Sequence, residues 1–225
     1  MPDKLSGRRT AFLWSHDVQW DLDIQPQTDL WDTWDNRNRY SSIVKSTGAP
    51  MDFIGEGADF SEYPFLIAPA YQLIDEKLVE KWTDYVENGG HLILTCRTGQ
   101  KDKDGHFFEA EMAAPISALI GADHEFQDML LPDLEGLVKT ENGAYLWNCW
   151  AEILTPYTGT ETWATYDDQF YRGKSAVVHR RIGEGSVTFI GVNTIDGQLE
   201  REMVRKVYNQ AGVPIGDLQI GRAHV

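Results

Sequence analysis

The clearest periodic segment covers residues 77–87, where Leu78, Val79, Trp82, Tyr85 and Val86 recur at steps of three and four. That spacing gathers side chains on one face of an α-helix. Asp75 stands before the segment as a side-chain cap, and Asn88-Gly89-Gly90 supplies the stop. Continuous apolar runs flank it, Phe65-Leu-Ile-Ala68 and His91-Leu-Ile-Leu-Thr95, as expected of strands buried on both faces. Strand, helix and strand fit inside about 30 residues, the size of a right-handed parallel crossover.

The same rhythm precedes it. Residues 10–14 read as a strand, residues 15–34 as a long loop in which Asp and Trp alternate irregularly, and residues 34–47 as a helix with Tyr40, Ile43 and Val44 on one face. Gly48 ends that helix and residues 51–54 restart a strand. A doubly wound parallel sheet follows from this order. After the strand at 91–95, residues 100–107 form a charged, Gly-containing excursion where such sheets present ligand loops. Residues 114–121 read as a short helix with Pro115 in its first turn.

Beyond Gly121 the pattern changes to short strands at 137–139, 144–147, 162–166, 176–180 and 186–191, which predict a small antiparallel sheet. The last two are joined as a hairpin through Gly183-Glu-Gly185, and residues 198–211 supply a closing helix ended by Gly212. One domain over residues 10–216 is expected, with a tail at 1–9. Arg8 and Arg9 read as part of a solvated tail.

Composition narrows the partners. A formal net charge of -15 repels phosphate backbones and anionic lipid, so neither nucleic acid nor membrane is an expected partner. No apolar run approaches the roughly 20 residues that span a bilayer, and residues 1–10 lack the apolar stretch of a secretory signal; cytoplasmic placement is the expectation. Cys96 and Cys149 form no Cys-x-x-Cys pair and read as reduced core thiols. Residues 220–225, Ile-Gly-Arg-Ala-His-Val, match a one-frame translation of a common DNA-sequencing adapter and are set aside as an artefact.

Candidate chemistry is sparse. Cys96 follows a strand as a hydrolase nucleophile would, and His179 is the histidine available to it, but the Gly-x-Cys-x-Gly turn is absent. The histidines at 16, 91, 106, 124, 179 and 224 include no pair at helical ligand spacing, and Lys101-Asp-Lys-Asp-Gly105 lacks the remaining ligands of a calcium loop. Gly183-Glu-Gly185 is too short for a phosphate-binding fingerprint. Trp14, Trp20, Trp31 and Trp34 fit core or subunit packing first and stacking on sugar second. No catalytic residue, cofactor or metal is expected.

Several stretches then read together: Tyr63-Pro-Phe-Leu-Ile-Ala-Pro69, Tyr85-Val-Glu-Asn-Gly-Gly-His-Leu-Ile-Leu-Thr95, Arg97-Thr-Gly-Gln-Lys-Asp102, Trp150-Ala-Glu-Ile-Leu154 and Gly183-Glu-Gly-Ser-Val-Thr-Phe-Ile-Gly191. Their order resembles the middle domain of glycoside hydrolase family 42 β-galactosidases from about residue 10 to 214. Cys96, where an aromatic is more usual, and Ile116, where glycine is frequent, depart from the pattern.

The resemblance implies an α/β fold, flavodoxin-like or class I glutamine amidotransferase-like, with a parallel sheet flanked by helices and antiparallel additions in the C-terminal half. It also implies a non-catalytic trimerisation domain, self-associating as a homotrimer in the intact parent and attached to a barrel absent from this chain. The parent's two catalytic glutamates lie on that barrel, so galactoside substrate is met only through the parent. The natural chain is expected to continue past Gln219. The rivals are a free-standing amidotransferase-like cysteine hydrolase, which alkylation of Cys96 would inactivate, and a carbohydrate-binding module, whose tryptophan fluorescence galactose would quench.

Overall fold

Three apolar segments of four or five residues become the centre of a parallel sheet. In the computed structural model, which describes residues 7–109, 114–213 and 215, β1 (Thr10–Leu13) lies between β2 (Met51–Ile54) and β3 (Phe65–Ala68), and β3 pairs with β4 (His91–Thr95), all parallel. β1 and β3 are buried along their whole lengths, because helices cover both faces of the sheet.

The remaining strands are β5 (Ala122–Asp128), β6 (Gly136–Lys139), β7 (Ala144–Pro156), β8 (Glu161–Tyr166), β9 (Ser175–Ile182), β10 (Gly185–Ile190) and β11 (Val192–Thr194). β10 pairs in parallel with β4 on one side and antiparallel with β9 on the other. The expected antiparallel strands are an extension of the parallel sheet: among the described residues eleven strands form a single sheet, ordered β11-β7-β6-β8-β9-β10-β4-β3-β1-β2 with β5 on β7. A bridge from Leu154 to Ser175 joins β7 back to β9, so β7, β6, β8 and β9 close on themselves around Trp147, Tyr166 and Tyr171.

The helices are α1 (His16–Ile24), α2 (Thr33–Ser46), α3 (Glu76–Glu87), α4 (Ala114–Ile120) and α5 (Gln198–Gln210). Side chains of α1, α3 and α4 share one buried cluster with Leu66, Leu92 and Leu94, while those of α2 and α5 share the other with Phe65, Ile67 and Ile93. This is the period-two alternation of a strand buried on both faces. Asp32 and Asp75 cap α2 and α3 by accepting from the N–H groups of Asp35 and Leu78; a side-chain oxygen there satisfies a donor the helix cannot.

α1 corrects the sequence reading of residues 15–34 as loop. Ser15 caps it, but only Val18 and Leu22 give it an apolar stripe; its third buried residue is Gln19, whose Oε1 accepts from Arg37 Nη1 at 2.9 Å. A stripe that short carries little periodic signal. Arg8 and Arg9 also differ from a solvated tail: Arg8 Nη1 donates to the Thr47 carbonyl, and Arg9 pairs with Asp52 at 2.8 Å and lies over the Tyr63 ring.

The β9–β10 hairpin packs on the end of α3, where a Cβ on Gly185 would stand 2.2 Å from the Gly90 carbonyl and 2.3 Å from that of Val86. Among the described residues no helix is long and apolar enough to cross a membrane. Residues 1–6 of the expected tail, the domain boundary at 216 and the segment 220–225 lie outside the described residues.

Candidate functional site

The carboxyl ends of β3 and β4 hold a buried polar cluster rather than an open catalytic turn. Ala70 and Arg97, the residues that leave these strands, have φ of 45° and 69°, a region costly for residues with a Cβ. Specific donors hold them there. The Ala70 N–H donates to Thr95 Oγ1 at 2.7 Å, and the Arg97 N–H donates to Glu152 Oε1 at 2.7 Å.

The Arg97 side chain is fully buried between Trp31 and Trp150, its guanidinium carbon 4.5 and 4.6 Å from the two ring centres. Its Nη1 and Nη2 donate to the carbonyls of Pro26 and Gln25 at 2.9 and 3.0 Å. Burial lowers its pKa to about 10, which leaves it charged at neutral pH, its cation shared between ring faces and carbonyl dipoles. Glu152, equally buried on β7, accepts at Oε1 from Gln100 Nε2 and Trp150 Nε1 as well as from Arg97. Its Oε2 faces His124 Nδ1 at 4.0 Å.

Lys101 completes the cluster. It is buried in the excursion after β4, and its Nζ donates to Asp21 Oδ1 and Oδ2 at 2.8 and 3.0 Å and to Gln25 Oε1 at 2.7 Å. The excursion expected as a ligand loop thus fastens α1 to the sheet. Its exposed part, Asp102, Asp104 and His106, brings potential ligand atoms within 4.8 Å of one another. Asp102 Oδ1 is already engaged by the N–H groups of Asp104 and His106, which, His106 first, hold its carboxyl below the usual range; the acidic group shapes a turn.

Cys96 and His179 are not brought together. The thiol is buried in the cluster shared by α1, α3 and α4, and burial pushes its pKa well up, with the Glu152 charge acting in the same direction; a thiol so placed is a poor nucleophile. His179 is on β9, separated from β4 by β10, with Nδ1 2.9 Å from Thr188 Oγ1 and its ring stacked on Trp163 at 4.0 Å. Glu152, Lys101 and Asp21 escaped the sequence reading because the contacts that define the cluster, Arg97 and Gln100 to Glu152 and Lys101 to Asp21, span more than 50 residues of sequence, and Asp21 is carried on an unrecognised helix.

The tryptophans divide. Trp31 is buried beneath Arg97, whereas Trp20, Trp34 and Phe53 are 61%, 53% and 56% exposed. Trp14 joins them: its ring is 5.9 Å from His16, 5.6 Å from Trp34 and 5.9 Å from Phe53, and His16 is 5.9 Å from Trp20. Arg37 lies 4.3 Å over Trp14 and fixes it from below. Trp14, Trp34, Phe53 and Arg37 line a shallow groove of about 330 Å³. A contiguous aromatic surface of this kind serves contact with another molecule better than it serves bond chemistry.

Residues 8–215 match the family described as the beta-galactosidase trimerisation domain. Beta-galactosidase BgaH of Haloferax lucentense is 29% identical over 203 residues, covering 90% of this chain and 30% of that protein. Beta-galactosidase Bga of Halorubrum lacusprofundi is 28% identical, with the same shares. The solved structure of the polyextremophilic beta-galactosidase from Halorubrum lacusprofundi superposes with a TM-score of 0.86 at 29% identity, covering 93% of this chain and 31% of that one. That of Bacillus circulans sp. alkalophilus gives 0.85 at 17% identity, and shows the fold alone. The chain spans about 30% of the length of the curated relatives it matches.

Proposed function

This chain belongs to the β-galactosidase trimerisation domain family, and from that membership we propose that it is the assembly domain of a longer family 42 β-galactosidase. The observation that carries the reading is a proportion: the family match covers residues 8–215 of this chain, which is under a third of each relative's length. Retaining hydrolysis of terminal β-galactosides requires two carboxyl groups about 5–5.5 Å apart across the sugar. In this reading the parent carries that pair as two glutamates on a (β/α)₈ barrel outside this chain, so the domain's contribution is to hold copies of the parent together as a homotrimer. Galactosides are then substrates of the parent in carbohydrate metabolism and are bound through the barrel.

The architecture is read as flavodoxin-like and akin to the class I glutamine amidotransferases. The parallel order β2-β1-β3-β4-β10 supports this, since it is the order of a doubly wound flavodoxin-type sheet. So does the left-handed backbone of Arg97, the second residue after β4, where a hydrolase of that type would carry a strained turn. Here the turn is occupied by a buried arginine. Cytoplasmic placement belongs to the same proposal and is supported by two free, buried cysteines, the state favoured in a reducing compartment. The domain is taken to cover 10–216 after a tail at 1–9, the natural chain to continue past Gln219, and residues 220–225 to be adapter-derived.

Sequencing the source locus tests the reading. A preceding barrel-encoding region with two glutamates at strand ends is expected; a stop codon and promoter directly upstream would overturn it.

A further inference from the structure

We propose that copies of this chain join through two unlike apolar faces, the aromatic ladder of Trp20, Trp14, Trp34 and Phe53 on one protomer meeting the Phe126–Phe170 face of the next. The inference rests on the assembly reading above and assigns the surfaces that carry it. A ring of three with cyclic symmetry cannot use a single self-complementary patch, as a two-fold dimer does; each protomer must offer two different faces that fit each other.

The described surface supplies two such faces. The first is the ladder, in which four aromatic rings and His16 touch in sequence and three of the rings are more than half exposed. The second is built on Phe170, 86% exposed, whose ring stacks on Phe126 at 5.5 Å and meets Tyr171 edge-on at 5.0 Å. Leu131, 70% exposed, lies a few residues beyond the strand that carries Phe126. An exposed ring held by two others is already ordered, so docking against it costs little side-chain entropy.

The two faces stand on different elements. The ladder is carried by β1, β2, α1 and α2, and the Phe170 face by β5 and the β8–β9 connection. With a net charge of -15 on every copy, long-range attraction between copies is unavailable, and buried aromatic area is the remaining source of affinity.

The test uses the full 225-residue chain and the single variants Trp34→Asp and Phe170→Asp, compared by sedimentation velocity, with circular dichroism to verify folding. Wild type is expected to be trimeric and each variant monomeric at the same concentration. Mixing the two variants in equal amounts is expected to give a heterodimer and no trimer, because one intact ladder then meets one intact Phe170 face. If Trp34→Asp unfolds, Phe53→Asp interrogates the same face. A trimeric wild type with either variant still trimeric, or with a mixture that stays monomeric, overturns the face assignment while leaving the assembly reading standing. A wild type that is monomeric throughout defeats the assembly reading, and the faces with it.

Discussion

The backbone N–H of Arg97 donates to Glu152 Oε1 at 2.7 Å across 55 residues of sequence, and this contact holds the left-handed turn after β4 against the extension strand β7. Replacing Glu152 with alanine strips the acceptor from Arg97, Gln100 and Trp150 together. A loss of about 3–5 kcal/mol is expected, as for a broken buried polar network, read from urea unfolding. Glu152→Gln retains one acceptor oxygen and should lose about half as much or less. Equal losses for the two variants would show that the acceptor is not what matters.

Arg97 is held by ring faces and by carbonyls at fixed angles, geometry that a lysine ammonium cannot reproduce. Arg97→Lys should therefore destabilise almost as much as Arg97→Ala, by about 2–4 kcal/mol. The measurement is the midpoint of thermal unfolding of the three proteins. A lysine variant indistinguishable from wild type would contradict the role assigned to the Trp31–Trp150 sandwich.

Gly185 has no room for a side chain, since a Cβ would lie within 2.4 Å of two carbonyl oxygens belonging to Gly90 and Val86. Gly185→Ala must push the β9–β10 hairpin off the end of α3, at an expected cost of about 2 kcal/mol or more. Glycine at 159, with nothing within 4 Å of the same position, is not a fair control because its φ is +88°; Gly55→Ala, in open space, is, and should change stability by under about 1 kcal/mol in either direction.

His179 links stability to pH. Burial lowers its pKa to about 4 from an ordinary 6.5, so between these values the unfolded chain binds a proton that the folded chain does not. Stability contributed by neutral His179 is complete above about pH 6.5 and is lost as pH falls through about 4, amounting to about 2–3 kcal/mol. Folding free energy measured by urea titration between pH 7 and 4 should fall more steeply for wild type than for His179→Gln. Identical slopes would remove His179 from the account.

Neither cysteine should react while the chain is folded. Cys96 and Cys149 are 1% and 3% exposed, and burial pushes the Cys149 thiol up to about 11 and that of Cys96 well above its usual value. Iodoacetamide labelling at pH 8 should be about a hundredfold slower in buffer than in urea. Rapid native labelling of Cys96 would contradict its burial in the core.

What the sequence made legible was periodic or punctuated. Leu78, Trp82, Tyr85 and Val86 line the buried face of α3 as their spacing requires, the Phe65 and His91 runs are central strands, and Gly183-Glu-Gly185 is the turn of the β9–β10 hairpin. The family was legible from ordered motifs. Helix α1 was not, because its buried face includes Gln19 and its stability comes from contacts with Arg37 and Lys101 made elsewhere in the chain. Strand β5 was missed for a related reason: His124 on its buried side and the alternation of charged residues around it look like loop until β7 supplies the partner strand. The Arg97–Glu152 cluster has no local pattern, since its members come from the turn after β4 and from β7, more than 50 residues apart.

Sedimentation equilibrium of the unaltered chain tests the central claim most directly. Assembly as proposed predicts a fitted mass three times that of the 25.5 kDa chain, with association strengthening as salt screens the repulsion between copies of net charge -15. A single species at the monomer mass, at every concentration and salt level, would contradict it.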